Sequence, residues 1–273
     1  NGLDAYFVSD RMFACISGDD NPIHVDPAFS AATKFGRTVS HGVLLITVLT
    51  GLVETLRPGE RIVGQDVRFP APTFADEEMA FRAWEEAGAV AFSVTRVADS
   101  VVTCDGLFSL PPRGGKGGDG GEPTGIAGSA RLGAGALLGS HGSVSALTPA
   151  QPSPLEGDGF QRVVSEADVQ AFVVLGGARP ADGSVPVPLI GAMFSYLLGV
   201  RLPGPGSNYL KQQTRYLAPA TIGAPLTARV AISRKRPDKQ LIDLATICFD
   251  EDGRLYADGR ALIHAGDVAG AFD

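Results

Sequence analysis

The chain has few cysteines, little positive charge and no long hydrophobic run. Its three cysteines, Cys15, Cys104 and Cys248, are odd in number and far apart, which argues against a disulfide framework or a metal-binding spacing. The net charge of −7 argues against a nucleic-acid-binding surface. No apolar run reaches the roughly 20 residues that a membrane-spanning helix needs, and the first residues show no signal-peptide pattern. We therefore expect a cytoplasmic protein that binds neither nucleic acid nor membrane.

A Gly/Pro-rich stretch divides the chain into two parts. With 273 residues, 44% of them hydrophobic, the chain is long enough for one large or two ordinary globular domains. Residues 111–159 are too rich in glycine and proline to bury a core. We predict an N-terminal domain over 1–110, a linker over 111–159 with a short ordered piece near Ala136 to Leu138, and a C-terminal domain over 160–273. His141, inside the linker, is expected to be solvated.

The two flanking parts resemble each other at their starts. Each begins with a serine followed by an acidic residue, Ser9 in one part and Ser165 in the other, which predicts a capped helix. In each part a glycine, Gly42 or Gly191, then opens a strongly apolar segment. We expect each glycine to begin a buried helix.

Strand patterns follow both apolar helices. The predicted strands, four in each part, are Ile62–Phe69, Ala80–Glu85, Val90–Val97, Val101–Leu110, Asn208–Tyr216, Leu226–Ser233, Leu241–Phe249 and Leu255–His264. Alternation of apolar and polar residues supports them. Each part therefore reads as a helix followed by an antiparallel sheet, which is an α+β pattern.

The most informative segment is Asp19-Asp20-Asn21-Pro22-Ile23-His24, with Ser40-His41-Gly42 further on. A carboxylate and an imidazole joined by a rigid Asn-Pro turn are suited to proton transfer. A glycine at a helix start offers a backbone N–H to developing negative charge. Addition or removal of water beside a carbonyl requires these three parts.

Each of these residues also has an ordinary structural explanation. Asp-Asp-Asn-Pro is a good turn in any protein, and His24 alone would be an unremarkable surface histidine. Their order, together with the helix that follows, favours the functional interpretation. Cys15 lies near the motif, but a small buried residue is the better interpretation than a nucleophile. Asp20 and Asp26 are expected to be solvated or capping groups.

The run from Ile16 to Asp26, with Phe35 and Val39 to Gly42, resembles the hydratase 2 motif. That motif is the signature of MaoC-like dehydratases and (R)-specific enoyl-CoA hydratases, and the close match covers about 30 residues. The resemblance implies a hotdog fold, a long helix wrapped by a curved antiparallel sheet. Because the pattern is present in two repeats, it implies a double hotdog.

The resemblance also implies roles for particular residues. Asp19 and His24 form the catalytic pair, and Gly42 supplies the oxyanion-binding N–H. We assign the C2 proton to His24 and the 3-hydroxyl to Asp19, although the sequence leaves the order open. The supporting residues are Asn21, Pro22 and His41, and the apolar walls of the substrate site include Phe35 and Val39.

The second repeat departs from the motif. Alignment on Phe13 and Phe172 places Ala178 at the position of Asp19 and Ile190 at that of His41, with about ten residues missing between them. The second repeat therefore lacks both acid/base groups. We expect one active site per chain, in the first repeat, with the second repeat completing the substrate tunnel and the sheet.

These observations predict a reversible (R)-3-hydroxyacyl-thioester dehydratase or enoyl-thioester hydratase with no cofactor and no metal. The substrate would be carried on coenzyme A or on an acyl carrier protein, in fatty-acid or polyketide metabolism. Lys34 and Arg37 are the positive groups nearest the motif, whereas the basic run 233–239 reads as a hairpin tip. The alternatives are a non-catalytic acyl-thioester-binding or scaffold protein and a thioesterase. We expect a monomeric pseudo-dimer or a homodimer.

Overall fold

The structure, a computed structural model, describes residues 3–75, 77–112, 125–128 and 157–273. The ordered piece predicted at Ala136 to Leu138 and the histidine His141 lie outside the described residues. Among those described, no helix combines the length and the apolar character that crossing a bilayer requires.

Six α-helices and ten β-strands make up the described part of the chain. The helices are α1 (Leu3–Ser17), α2 (Pro22–Val25), α3 (Pro27–Ala31), α4 (Gly42–Leu56), α5 (Glu166–Val174) and α6 (Val187–Tyr196), which continues into a π-helical turn at Leu197–Arg201. The strands are β1 (Gly64–Arg68), β2 (Met79–Glu86), β3 (Ala89–Arg96), β4 (Val102–Ser109), β5 (Gly125–Gly128), β6 (Gly157–Val163), β7 (Asn208–Tyr216), β8 (Pro225–Arg236), β9 (Leu241–Phe249) and β10 (Leu255–His264).

All ten strands form one antiparallel sheet with an internal twofold pattern. The order is β5-β2-β3-β4-β1-β7-β10-β9-β8-β6, so each half repeats the same arrangement outward from its innermost strand. The halves join where β1 pairs with β7, from Gly64 opposite Arg215 to Arg68 opposite Lys211. The eight predicted strands are all present, and the prediction that the second repeat completes the sheet is confirmed.

The two apolar helices form the centre of the core. On α4, Ile46 and Leu49 have almost no exposed surface, and on α6 the same is true of Leu189 and Phe194. Complete burial of one such side chain contributes about 1.5–3 kcal/mol. A helix that is apolar on every face needs cover on every face, and the curved sheet supplies it. This arrangement is the predicted double hotdog.

Two of the four predicted helix starts are confirmed. Gly42 is the first residue of α4, and Ser165 caps α5 in a reciprocal capping box with Asp168. Ser9 is not a cap, because α1 begins at Leu3 and continues through it. Gly191 is not a helix start either, since α6 begins four residues earlier at Val187, after Pro186. Proline at the start of a helix is the signal that applies there.

The structure also tests the predictions made for Cys15, for Asp26 and for the Gly/Pro-rich segment. Cys15 is exposed, so the expectation that it is a buried residue is wrong. Asp26 caps α3 by accepting hydrogen bonds from the N–H groups of Ala28 and Phe29, as predicted. The segment assigned to the linker contributes β5, which pairs with β2, and the first residues of β6, which pairs with β8. The domain boundaries themselves stay a prediction.

The glycines on the two central helices make a matched test of core packing. A Cβ at Gly51 on α4 would lie 2.4 Å from the carbonyl oxygen of Gly176, whereas a Cβ at Gly191 on α6 would meet only Val43 Cγ1 at 3.7 Å. We expect Gly51→Ala to lower the free energy of unfolding by about 1–3 kcal/mol because a backbone atom must move. Gly191→Ala should raise it by up to about 1 kcal/mol through helix propensity. Urea denaturation measures both, and equal effects would contradict the packing.

Candidate active site

The candidate site begins where α1 ends. Gly18 adopts a left-handed conformation, with φ of +78°, which turns the chain out of the helix. Arg162 of β6 donates hydrogen bonds from Nη2 to the carbonyl oxygens of Cys15 and Ile16, each at 2.8 Å. A residue of the second half thus holds the helix end that carries Asp19.

The Asn-Pro turn places His24 by local capping. Asn21 is the N-cap of α2, its Oδ1 accepts a hydrogen bond from the N–H of Ile23, and Pro22 follows at the first helical position. Proline there fixes φ and loses no helical hydrogen bond. The structure therefore gives both predicted supporting residues a role in shaping the turn.

A single hydrogen bond fixes the tautomer of His24. Its Nδ1 lies 2.7 Å from the carbonyl oxygen of Val39. A carbonyl only accepts, so neutral His24 carries its proton on Nδ1 and leaves Nε2 unprotonated. Val39 is itself held by a hydrogen bond from its N–H to the carbonyl of Ile23, at 3.2 Å. The imidazole is therefore oriented as a base.

His41 is fully buried at the N-cap of α4 and is held at both ring nitrogens. Nδ1 lies 2.7 Å from Asp10 Oδ1, and Nε2 lies 2.8 Å from the carbonyl oxygen of Asp19. Its ring stacks on that of His24, with centroids 3.9 Å apart and planes 29° apart. The predicted supporting histidine thus bridges the two residues of the predicted pair.

The two stacked histidines have pKa values shifted in opposite directions. Burial, followed by the neighbouring charge of His41, lowers the pKa of His24 to about 4. For His41, burial acts to lower the pKa, but the hydrogen bond that its ring donates to Asp10 and the charges of Asp19 and Asp10 outweigh it, so its pKa is raised. The two shifts act in opposite senses, favouring the neutral form of His24 and the protonated form of His41.

The carboxylate of Asp19 is buried without a protein partner. The residue is 1% exposed, and no described protein group hydrogen-bonds to either carboxylate oxygen. An unpaired buried carboxylate is costly, so this group needs a donor from outside the protein. A hydroxyl or a water beside His24 would supply one.

The residues of both halves surround a cleft above this pair, called here the first cleft. Its lining includes Phe35 and Val39, the residues predicted for the apolar wall, and Gly42 at the start of α4. The residues that line it are Asn21, Ile23, His24, Phe35, Val39, Ser40, Gly42, Leu45, Phe69, Pro70, Ala71, Pro72, Thr73, Thr103, Ser195, Leu198, Gly199, Ser207, Asn208, Tyr209 and Ile263. A side chain at Gly42 would overlap Phe69, since its Cβ would lie 2.7 Å from that ring.

A second cleft occupies the twofold-related position. The bridge between Val39 and Phe74 beside the first cleft has its counterpart in the bridge between Ser184 and Thr221. The first cleft lies between the start of α4 and the end of α6, and the second lies between the start of α6 and the end of α4. Its lining includes Thr50, Val53, Glu54, Glu60, Arg61, Ser184, Val187, Ile190, Tyr216 and Ala218.

The second cleft lacks counterparts of Asp19 and His24. Val187 stands where the first cleft has Gly42, so a side chain is present at the helix start that Gly42 leaves bare. The counterpart of His41 is Pro186 because both are N-caps with nearly the same backbone angles. The predicted correspondence with Ile190 is therefore wrong, and about fourteen residues rather than ten are missing.

Asp19, His24 and His41 bring three metal-binding atoms within 4.8 Å of one another. His41 cannot ligate a metal in this arrangement, because both of its ring nitrogens already face hydrogen-bond acceptors. Two remaining ligands are fewer than a stable zinc or iron site uses. The donor set therefore does not fit a resident metal.

Comparison with known proteins gives one family. Residues 8–104 match the model of the MaoC like domain. The (R)-specific enoyl-CoA hydratase of Aeromonas caviae is 42% identical over 69 residues, which are 24% of this chain and 52% of that protein. The 3-hydroxybutyryl-CoA dehydratase of Methylorubrum extorquens is 36% identical over 87 residues, 32% of this chain and 52% of that protein. The chain thus spans about half the length of these relatives.

Solved structures extend the likeness over both halves. One described as a MaoC-like dehydratase superimposes with a TM-score of 0.66 at 14% identity and covers 94% of each chain. A Mycobacterium tuberculosis protein described as having a double hotdog fold gives a TM-score of 0.60 at 16% identity and covers 96% of this chain and 91% of that one. At such identities the likeness shows the fold alone.

Residues 8–104 form a MaoC-like domain. This matched range contains Asp19, His24 and Gly42, which the structure brings to one place. Lys34 and Arg37 are engaged in ion pairs with Asp267 and Glu77. The basic run 233–239 is a hairpin tip between β8 and β9, as predicted.

Sequence reasoning missed three contributors. Asp10 was considered only as an acidic residue near a helix start, yet it is the buried partner of His41. Tyr209 and Gly199 reach the first cleft from the second half. Burial, followed by the nearby charges of Tyr216 and Asp19, raises the pKa of Tyr209, so it stays protonated. No spacing rule connects any of these residues to the motif.

The protonation of His24 is directly measurable. We expect its imidazole to titrate near pH 4 in NMR spectra recorded against pH, with Nδ1 protonated in the neutral form. Asp19→Asn should lower this pKa further, because the charge of Asp19 acts to raise it. Titration near the ordinary value of about 6.5 would contradict the burial of the ring.

Proposed function

We propose that this protein is an (R)-3-hydroxyacyl-thioester dehydratase and, in reverse, an enoyl-thioester hydratase. One observation carries the proposal. The unprotonated Nε2 of His24 and the unpartnered carboxylate of Asp19 lie together beside the helix start at Gly42. The names of the relatives from A. caviae and M. extorquens describe the same reaction class in its two directions.

The geometry supports the following elimination. His24 Nε2 removes the C2 proton while the thioester carbonyl gathers negative charge, which the N–H of Gly42 and the α4 dipole stabilise. Asp19 accepts a hydrogen bond from the 3-hydroxyl and holds it beside His24. The C3–O bond breaks, and the departing oxygen takes the proton from His24 as water. The proton count balances, His24 returns to its neutral form, and the water leaves from the face that lost the proton.

The substrate is an acyl thioester carried on coenzyme A or on an acyl carrier protein, and the chain's own groups suffice without a cofactor. The C2 proton beside a thioester is the weakly acidic position that this site is arranged to attack. A reducing cytoplasm suits the three free thiols. We favour a biosynthetic role, in fatty-acid or polyketide metabolism. We also propose that one chain forms a complete pseudo-dimeric unit, since both halves line the first cleft.

Hydration of crotonyl-CoA tests the reaction. We expect the wild type to consume the enoyl absorbance and to yield the (R)-3-hydroxy product. His24→Ala and Asp19→Asn should each lose at least about a hundredfold in kcat/KM, within the range typical of a general acid or base. Asp20→Asn is the matched control, because it changes an exposed carboxylate next to Asp19.

The outcomes separate the alternatives. Release of free thiol would indicate a thioesterase. Binding of butyryl-CoA without turnover, unchanged in Asp19→Asn, would indicate the non-catalytic acyl-thioester-binding or scaffold protein. Repeating the assay with an acyl-carrier-bound substrate distinguishes carrier preference from absence of activity.

The internal twofold supplies a test of which cleft is used. Ala71 lines the first cleft and Ala218 lines the second at the related position, and both are half-buried. We expect Ala71→Trp to lower kcat/KM at least about tenfold by filling the substrate cleft. Ala218→Trp should leave it within about twofold, because the second cleft lacks the acid/base pair. Equal losses would show that both clefts take part or that the large side chain acts through folding, which thermal unfolding measures.

A further inference from the structure

Asp10 is a buried hub of three hydrogen bonds. It has no exposed surface. Its Oδ2 accepts from the hydroxyl of Ser40 at 2.7 Å, and its Oδ1 accepts from the backbone N–H of His41 at 2.8 Å. The same Oδ1 lies 2.7 Å from Nδ1 of His41. The carboxylate acts only as an acceptor toward the Ser40 hydroxyl and the His41 N–H, and charge-assisted hydrogen bonds of this kind are the strong ones.

The surroundings of His41 require a proton on each ring nitrogen. Nδ1 faces the Asp10 carboxylate, and Nε2 faces the carbonyl oxygen of Asp19. A carbonyl oxygen and an ionised carboxylate can only accept, so both nitrogens must donate. The ring is wholly buried and packs edge-on against Phe13. Asp10 therefore supplies the countercharge that a buried imidazolium needs.

The charged ring lies directly against the base of the proposed reaction. Its stack on His24 has a centroid separation of 3.9 Å. The other titratable groups that face the two rings are Asp10 on α1 and Asp19 in the loop after it, while Tyr209 of β7 faces Asp19 and remains neutral. A positive charge on His41 at this distance opposes protonation of His24 at Nε2.

We propose that Asp10, oriented by Ser40, is a positioning residue that keeps His41 doubly protonated, so that His24 stays unprotonated and free to accept the substrate proton. This inference rests on the proposed function, in which His24 is the base. Asp10 acts on His24 through His41, because Asp10 itself contacts neither the first cleft nor His24. The direction of both histidine pKa shifts agrees with it.

The pH profile of Asp10→Asn tests the coupling. In the wild type the acid limb of kcat/KM for crotonyl-CoA hydration reports the protonation of His24 in the free enzyme. Without the Asp10 charge, the effect of burial on the pKa of His41 is no longer offset, so His41 loses its second ring proton. The neutral His41 ring then no longer opposes protonation of His24. We expect the acid limb to move upward by about one pH unit. Lower activity with an unmoved acid limb would mean that Asp10 is only structural and would overturn the proposal.

Three further variants test the cause of the shift. His41→Gln removes the same positive charge and should move the acid limb in the same direction. The double variant Asp10→Asn/His41→Gln should move it no further than the larger single shift, since the two residues act as one unit. Ser40→Ala removes one hydrogen bond to Asp10 but no charge, so its limb should stay close to that of the wild type. Additive shifts in the double variant would contradict a shared cause.

The wild-type protein gives a measurement that depends on no variant folding. Nitrogen-15 NMR of the imidazoles at pH 7 should show His41 with both nitrogens protonated and His24 with one. A single-proton form of His41 at pH 7 would overturn the proposal. This measurement needs no turnover, so an inactive protein with a doubly protonated His41 would reject the proposed reaction while leaving the Asp10–His41 protonation state standing.

Discussion

The pairing of β1 with β7 is the constraint on which the rest of the molecule depends. It joins two half-sheets into one and sets the internal twofold. Because each half-sheet wraps its own apolar helix, the pairing also brings α4 and α6 together in one core. The interface between the start of one central helix and the end of the other therefore occurs twice, once at the start of α4 and once at the start of α6. The presence of two clefts is a geometric consequence of the fold. The side chains that could catalyse a reaction in each cleft are not determined by the twofold.

What distinguishes the clefts is the chain between the first helix of each half and its central helix. In the first half that segment is long enough for an Asn-Pro turn and two short capped helices, which carry His24 under the first cleft. In the second half the segment is shorter, and Pro186 stands at the helix start in place of His41. A proline has no side-chain donor, and Val187 adds a side chain where Gly42 has none. The second cleft keeps the position that the twofold imposes but has no counterparts of Asp19, His24 and His41.

Features with a local cause were predictable from the sequence. The Ser165 cap, the strands β7, β9 and β10 to the residue, and the start of α4 at Gly42 follow from capping, alternation and glycine chemistry. The start of α6 was misjudged because the glycine pattern of the first half was transferred to it, although the prolines around it carry the stronger signal. Asp10 was beyond local rules. It lies 31 residues from His41, and only the tertiary packing of α1 against the α4 start shows that its carboxylate is enclosed.

The distribution of charge in the site favours one direction of electron movement. In the proposed protonation state Asp10 and His41 form a neutral ion pair, whose charges nearly cancel at a distance. The carboxylate of Asp19 has no hydrogen-bond partner among the described residues and lies beside His24, whose pKa is lowered. The start of α4 presents partial positive charge at Gly42.

A 3-hydroxyacyl thioester placed across the site would have its hydroxyl at the negative end and its carbonyl at the positive end. That field stabilises charge on the carbonyl oxygen as the C2 proton leaves, and it does so with groups fixed before the substrate binds. Preorganisation of this kind is usually the largest contribution to catalysis, and in the proposed reaction it comes from Asp19 and from the start of α4 at Gly42.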